Sequence, residues 1–188
     1  QMVSGIVQPP RIDLKNEELL LTHLNSFLLM ELEIDELKNS AADVLDLSNE
    51  KDVKVREDIM DGIEDQIKKY KAKFKRDFEK VLEAIYPEIQ DTHWFTDDWV
   101  LNKIQEFPTN FKNVFRRWIL MFQNACVSRD KAQQILDSHQ YKKDSKEKKR
   151  AERQESFARK QIDNLKNQTG KNQSLSEFYI FRYLAAEG

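Results

Sequence analysis

The chain has a single cysteine, Cys126, which excludes an internal disulfide framework and a cysteine-based zinc site. A reducing, cytoplasmic setting is the expectation. Only four glycines and four prolines occur in 188 residues, alongside 39% hydrophobic and 34% charged residues. That balance favours a helical protein with one modest core and a heavily solvated surface. No window approaches the roughly 20 apolar residues needed to span a bilayer, and no basic-then-apolar leader opens the chain. No membrane role is expected.

Charge is plentiful but unevenly placed. The net formal charge is −2. Residues 1–66 hold 6 basic against 16 acidic side chains, and residues 67–188 hold 25 against 17. Such polarity lets an acidic part dock on a basic neighbour and lets a basic part sit near phosphates, although long helices also need solvated faces.

Apolar periodicity predicts helices throughout. Gln8–Arg11 reads as extended because of its paired prolines. A first helix then starts at Asn16, its N-cap, with Leu20, His23, Leu24, Phe27 and Leu28 on one face. A short helix is expected over Ser40–Leu47, capped by Ser40. From Val55 to Tyr86, apolar residues from Ile59 to Ile85 step by three or four, predicting a helix about 45 Å long that Pro87 ends. Thr96 should cap a helix bearing Trp99, Leu101 and Ile104, which Pro108 should break. A second long helix is expected over 110–138, striped with Phe111, Phe115, Trp118, Phe122, Ala125, Ala132 and Leu136. The helices near 55–86 and 110–138 are expected to pair antiparallel. No strand pattern stands out.

Beyond them, residues 142–160 are rich in helix formers, but their apolar stripe thins to Ala151, Ala158, Ile162 and Leu165. A helix is expected there, and firm packing is not. Residues 166–174 read as a polar linker, and Ser174 with Glu177 as a capping box for a final helix. That final segment, Ser176–Gly188, is apolar on nearly every side, so protein should cover it. Phe178, Phe181, Tyr183 and Leu184 are its expected packing residues. With the mid-domain character of Ile6–Pro10, this suggests a piece of a larger protein.

Candidate chemistry is sparse. Thr169-Gly170-Lys171 resembles the tail of a phosphate-binding loop, but Leu165 stands where the first glycine belongs and Asn172 where Ser or Thr belongs. Asp91, His93, Asp97 and Asp98 offer donors for a divalent metal, against the simpler reading that acids complement a helix N-terminus. His23 reads as a core histidine, His139 as isolated, and Cys126 as a buried inert thiol. No catalytic, cofactor-binding or metal-binding residue is assigned.

The basic run carries more. Lys142, Lys143, Lys146, Lys148, Lys149, Arg150, Arg153, Arg159 and Lys160 stand against four acids. They are expected to spread around the helix rather than line one seam. A solvated face, non-specific contact with phosphates through Lys142 to Arg153, and docking of another protein all fit this pattern. Trp94, Phe95, Trp99 and Trp118 could stack bases, or simply fill a core.

Two stretches carry a resemblance. Val7–Leu24, reading VQPPRIDLKNEELLLTHL, resembles the segment that follows the helicase core of large bacterial superfamily 2 ATP-dependent helicases. Phe178–Gly188, reading FYIFRYLAAEG, is similar to an element of the same proteins, with Ile180 where they usually have proline. Phe115-Arg-Arg-Trp118 and the charged helix to Leu165 match their helical insertion in pattern only. The resemblance extends to helicases of DISARM-type phage-defence systems and to similar helicases bearing a conserved C-terminal domain. It implies a parent protein that hydrolyses ATP with Mg and translocates on DNA, with none of the ATPase motifs in these residues.

The expectation is therefore an all-α, elongated helical bundle with a long antiparallel hairpin. Residues 1–188 would form one accessory domain, with a bundle core at 1–141, a charged arm and linker at 142–174, and an apolar helix at 175–188. Its partners would be the rest of the helicase, DNA, and other subunits of a defence complex.

Overall fold

The computed structural model describes residues 15–34 and 41–166. The extended Gln8–Arg11 segment, the Ser40 cap, residues 167–174 of the linker, the Ser174/Glu177 capping box and the helix bearing Phe178, Phe181, Tyr183 and Leu184 lie outside the described residues.

Helix α1 (Glu17–Leu32) starts where Asn16 Oδ1 accepts from the backbone amides of Glu18, at 2.8 Å, and Leu19. Glu17 and Glu18 complement the dipole there. It ends at Glu33, whose φ of 45° reverses the chain. A four-residue helix α2 (Ala41–Val44) runs directly into β1 (Leu45–Asp46), which pairs antiparallel with β2 (Lys54–Val55) in the register Leu45 to Val55. This short ribbon had no alternating pattern to announce it.

Helix α3 (Glu57–Leu82) is the longest element. Ile59, Met60, Ile63, Ile67, Phe74, Phe78 and Leu82 are buried along one face, as the apolar stepping dictates. After α4 (Tyr86–Ile89), helix α5 (Trp99–Val114) packs on α3. Lys75 Nζ reaches the Asp97 carbonyl at 3.2 Å, so the C-terminal part of α3 meets the start of α5 and the two run antiparallel. Helix α1 closes this three-helix body. Phe27 packs against Phe74 and Phe78, and the Trp99 indole donates to Glu17 at 2.9 Å.

Several boundaries differ from expectation. Pro108 lies inside α5 rather than ending a helix. The chain bends instead at Phe115, after which α6 (Arg116–Asp137) continues. Thr96 supplies only its carbonyl, to the Trp99 amide at 2.9 Å, while Asp98 occupies the N-cap without a side-chain bond. Thr96 is therefore not the cap, and Asp98 stands at the helix N-terminus, where its charge complements the dipole.

The larger correction concerns pairing. The long antiparallel hairpin is present, but α3 pairs with α5, and α6 pairs with α7 (Lys146–Leu165). The bend at Phe115 carries α6 away from α3, so one long apolar stripe is shared between two different partners. Lys166 Nζ lies 5.2 Å from the Phe122 ring centroid, placing the end of α7 beside the start of α6. The pair is antiparallel. Firm packing of the charged helix was not expected, yet Ala151, Ala158 and Ile162 are buried against α6. Small side chains compensate for the thin stripe by letting the two backbones approach closely.

Candidate nucleic-acid interface

Helix α7 owes its position to one cap and one face. Ser145 adopts an extended conformation and its hydroxyl accepts from the Lys148 amide at 3.3 Å. Ala151, Ala158 and Ile162 then fix the inward side. At 100° per residue, Lys146, Lys149, Arg150, Arg153, Phe157 and Lys160 fall on the opposite side, and all six are exposed. Five of the nine cations thus share one side of the helix, while Lys148 and Arg159 lie off it and Lys142 and Lys143 precede it. Counting lysines in sequence concealed this; the inward face was needed to set the angular origin.

Among the described residues, Lys142, Lys143, Lys146, Lys148, Lys149, Arg150 and Arg153 take part in no ion pair, and only Lys148 is partly covered. Arg159 is paired with Glu155 and is withdrawn from the free charge. Sequence reasoning overlooked Phe157, which is 64% exposed within the seam. Its ring therefore takes no part in the α6–α7 packing and stands free beside the unpaired cations.

The other aromatic candidates are committed elsewhere. Trp99 and Trp118 are each only 4% exposed. The Trp94 indole donates to the Lys15 carbonyl at 3.0 Å and its ring contacts Trp99, while Trp118 stacks on Phe122 at 5.2 Å with rings 11° from parallel. They hold α1, α5 and α6 in place.

Asp91, His93, Asp97 and Asp98 stand exposed before α5. Among the described residues, no group of three or more His, Cys, Asp or Glu side chains is placed to hold a metal ion. His23 is exposed rather than part of the core, because its position on α1 faces away from α3 and α5. Asn25 takes the buried place, and its Oδ1 has no partner among the described residues. Thr169-Gly170-Lys171 lies outside the described residues.

A polar latch joins α6 to the loop between the two short strands. Arg129 donates to both carboxylate oxygens of Glu50, at 2.6 and 3.2 Å, and Gln123 Nε2 donates to the Lys51 carbonyl at 3.0 Å. The Arg129 hydrogen bonds pull the Glu50 carboxyl below its ordinary value, and Arg129 is raised by Glu50 first and Asp130 second. Burial, with the neighbouring Glu50 charge, pushes the Cys126 thiol up to about 11. A thiol so protonated is a poor nucleophile.

Among the described residues no helix is long and apolar enough to cross a membrane. Comparison with known proteins finds no matching protein-family model, curated protein or solved structure.

Proposed function

We propose that this chain is a non-catalytic helical accessory domain of a superfamily 2 DNA helicase-like ATPase in a cytoplasmic, phage-defence setting. ATP and Mg belong to the motor of the parent protein, and no residue here is assigned to either. The body of α1, α3 and α5 would prop the motor, with Phe178, Phe181, Tyr183 and Leu184 packing on it. The α6–α7 arm would guide displaced or incoming DNA.

The observation that carries this reading is the unpaired basic seam on α7, with an exposed ring inside it and a neutral alanine face behind it. Cations left unpaired on one side attract phosphates, whereas cations held by neighbouring acids would have less charge to offer. The resemblance of Val7–Leu24 and Phe178–Gly188 to post-core helicase segments supplies the setting.

Fluorescence anisotropy with single- and double-stranded DNA between about 50 and 200 mM salt tests it. Reversing Lys149, Arg150 and Arg153 to Glu should weaken binding by about tenfold or more and flatten the salt dependence. DNA affinity unchanged by the triple variant would remove the assignment.

One observation favours a second reading, a protein-interaction module of a defence complex. Leu120 and Val127 lie about half-exposed on the side of α6 turned away from its buried residues. Under that reading, Leu120→Asp with Val127→Asp abolishes partner capture, and the α7 charge reversals leave it intact.

A further inference from the structure

Helix α3 holds a second concentration of positive charge, and a purer one. The nine residues Lys68–Arg76 contain six basic side chains and no acidic one. The helix dipole does not account for them. Its influence fades within the last turn, and Lys68 stands far upstream of Leu82, the last residue of the helix. Local pairs absorb only part of them. Lys73 binds Glu31 at 2.6 Å, Lys75 approaches Glu79 at 3.6 Å, and Asp77 is shared by Arg76 at 3.6 Å and Lys80 at 3.0 Å, but Lys68, Lys69 and Lys71 are exposed and have no ion pair among the described residues. Lys69 and Arg76 fall with Lys80 on one outward ridge, roughly 17 Å long from first to last at 1.5 Å per residue.

That ridge runs into a cleft. Arg76 and Lys80 line an open hollow of 730 Å³ where the end of α3 meets α4 and the segment before α5, with Tyr86 and Phe95 as its aromatic wall. Tyr86 is 48% exposed and meets Phe95 edge-on at 6.1 Å, so much of its ring is free. Glu79, Glu83 and Asp97 also line the hollow.

From this juxtaposition we propose that α3 and the Tyr86 cleft form a track for single-stranded nucleic acid, with phosphates along the ridge of Lys69, Arg76 and Lys80 and an unpaired base on Tyr86. The mixed charge selects among occupants. An acidic peptide would bring its carboxylates against Glu79, Glu83 and Asp97, whereas every base, thymine and uracil included, carries an N–H group that donates to them. A duplex keeps its bases stacked inside and presents none to Tyr86. The track lies on a different helix from the α7 seam and stands whether or not that seam binds DNA.

The test uses the whole chain and labelled oligothymidylate and oligouridylate of about 16 nucleotides, beside a hairpin duplex. Reversing Lys69, Arg76 and Lys80 to Glu should weaken both single strands by about tenfold. Tyr86→Ala should weaken them by about fivefold or more, and Tyr86→Phe should retain the affinity, since stacking needs only the ring. Melting followed by circular dichroism verifies that each variant is folded. Quenching of the tryptophans by the bound strand reads the cleft independently, because Trp94 touches Phe95 at 5.7 Å. The ratio of the two strands tells DNA from RNA, and binding of either supports the track. Loss only in the α7 triple variant would overturn it while leaving the α7 seam standing. Equal preference for the hairpin, or displacement by a poly-glutamate competitor as readily as by unlabelled strand, would also overturn it.

Discussion

The body and the arm of this molecule bury their helices by opposite means. In the body, α3 and α5 meet through large rings: Phe74, Phe78, Phe107 and Phe111 are all essentially inaccessible, and Phe107, Phe111 and Phe115 form a ladder with centroids 5.5 to 6.1 Å apart. In the arm, α6 and α7 meet through Ala125, Ala132, Ala151 and Ala158, with Cys126 and Ile162 nearer the body. The outer alanines, Ala132, Ala151 and Ala158, stand apart from the continuous apolar core. Rings bury more apolar area per residue and dominate stability, whereas alanines contribute close backbone approach with little transfer energy. Most of the large buried rings thus lie in the body, and the arm joins it through Trp118 and Phe122, which are buried in the continuous core, and through the Glu50–Arg129 latch.

Three substitutions break or sharpen that contrast. The largest effect should come from Phe111→Ala, which opens a cavity at the centre of the body and should cost about 3 to 5 kcal/mol in denaturant unfolding. A loss under about 1 kcal/mol would mean that the ring ladder is not the main source of stability.

Ala158→Phe comes next. It forces a ring between two close backbones and should cost about 1 to 3 kcal/mol. Its signature is spatial: amide exchange should rise along α7 and the outer part of α6, with α1, α3 and α5 unchanged. Equal loosening everywhere would show that arm and body are one cooperative unit.

The smallest effect should come from Glu50→Gln, which removes one partner of the latch. Both side chains are partly solvated, so about 1 kcal/mol is expected at neutral pH. The Glu50 carboxyl lies below its ordinary 4.5 in the fold. Stability from the pair is therefore complete above 4.5 and is lost as pH falls through the folded value. The gap between wild type and Glu50→Gln should close in acid, as read by thermal melts across pH 3 to 7, taken as about two units either side of that range's middle. A gap that persists at low pH would assign the effect to packing instead of charge.

Much of the fold was legible in the residues themselves. Asn16 followed by two glutamates marks the start of α1 with its mechanism, and the spacing from Ile59 to Leu82 gives α3 its buried face. Pairing was less legible. Phe115 and Phe122 belong to one apolar stripe in sequence, and nothing in their spacing says that the chain bends between Val114 and Arg116. Pro108 was misleading for a related reason: a proline is tolerated inside a helix when the surrounding packing outweighs the lost hydrogen bond, and Phe107 and Phe111 on either side of it are fully buried.

The candidate interface was visible as composition and hidden as geometry. Lysines and arginines at 142–160 announced a basic segment, but the orientation of the seam awaited Ala151, Ala158 and Ile162 turning inward. The richer run at 68–76 was hidden for another reason, since the acids of the first half of α3 made the whole helix read as an ordinary mixed surface.

Local chemistry alone set the helical class, the positions of most helices and the caps that rest on a single side chain, because period, propensity and hydrogen-bond donors act within a few residues. Which helix lies on which, where Phe157 and Tyr86 remain in solvent, and how cations gather into a seam and a ridge were decided only by tertiary packing. Those properties depend on angles between elements, and an angle between two helices is fixed by the side chains that both present at their contact, which neither sequence segment contains by itself.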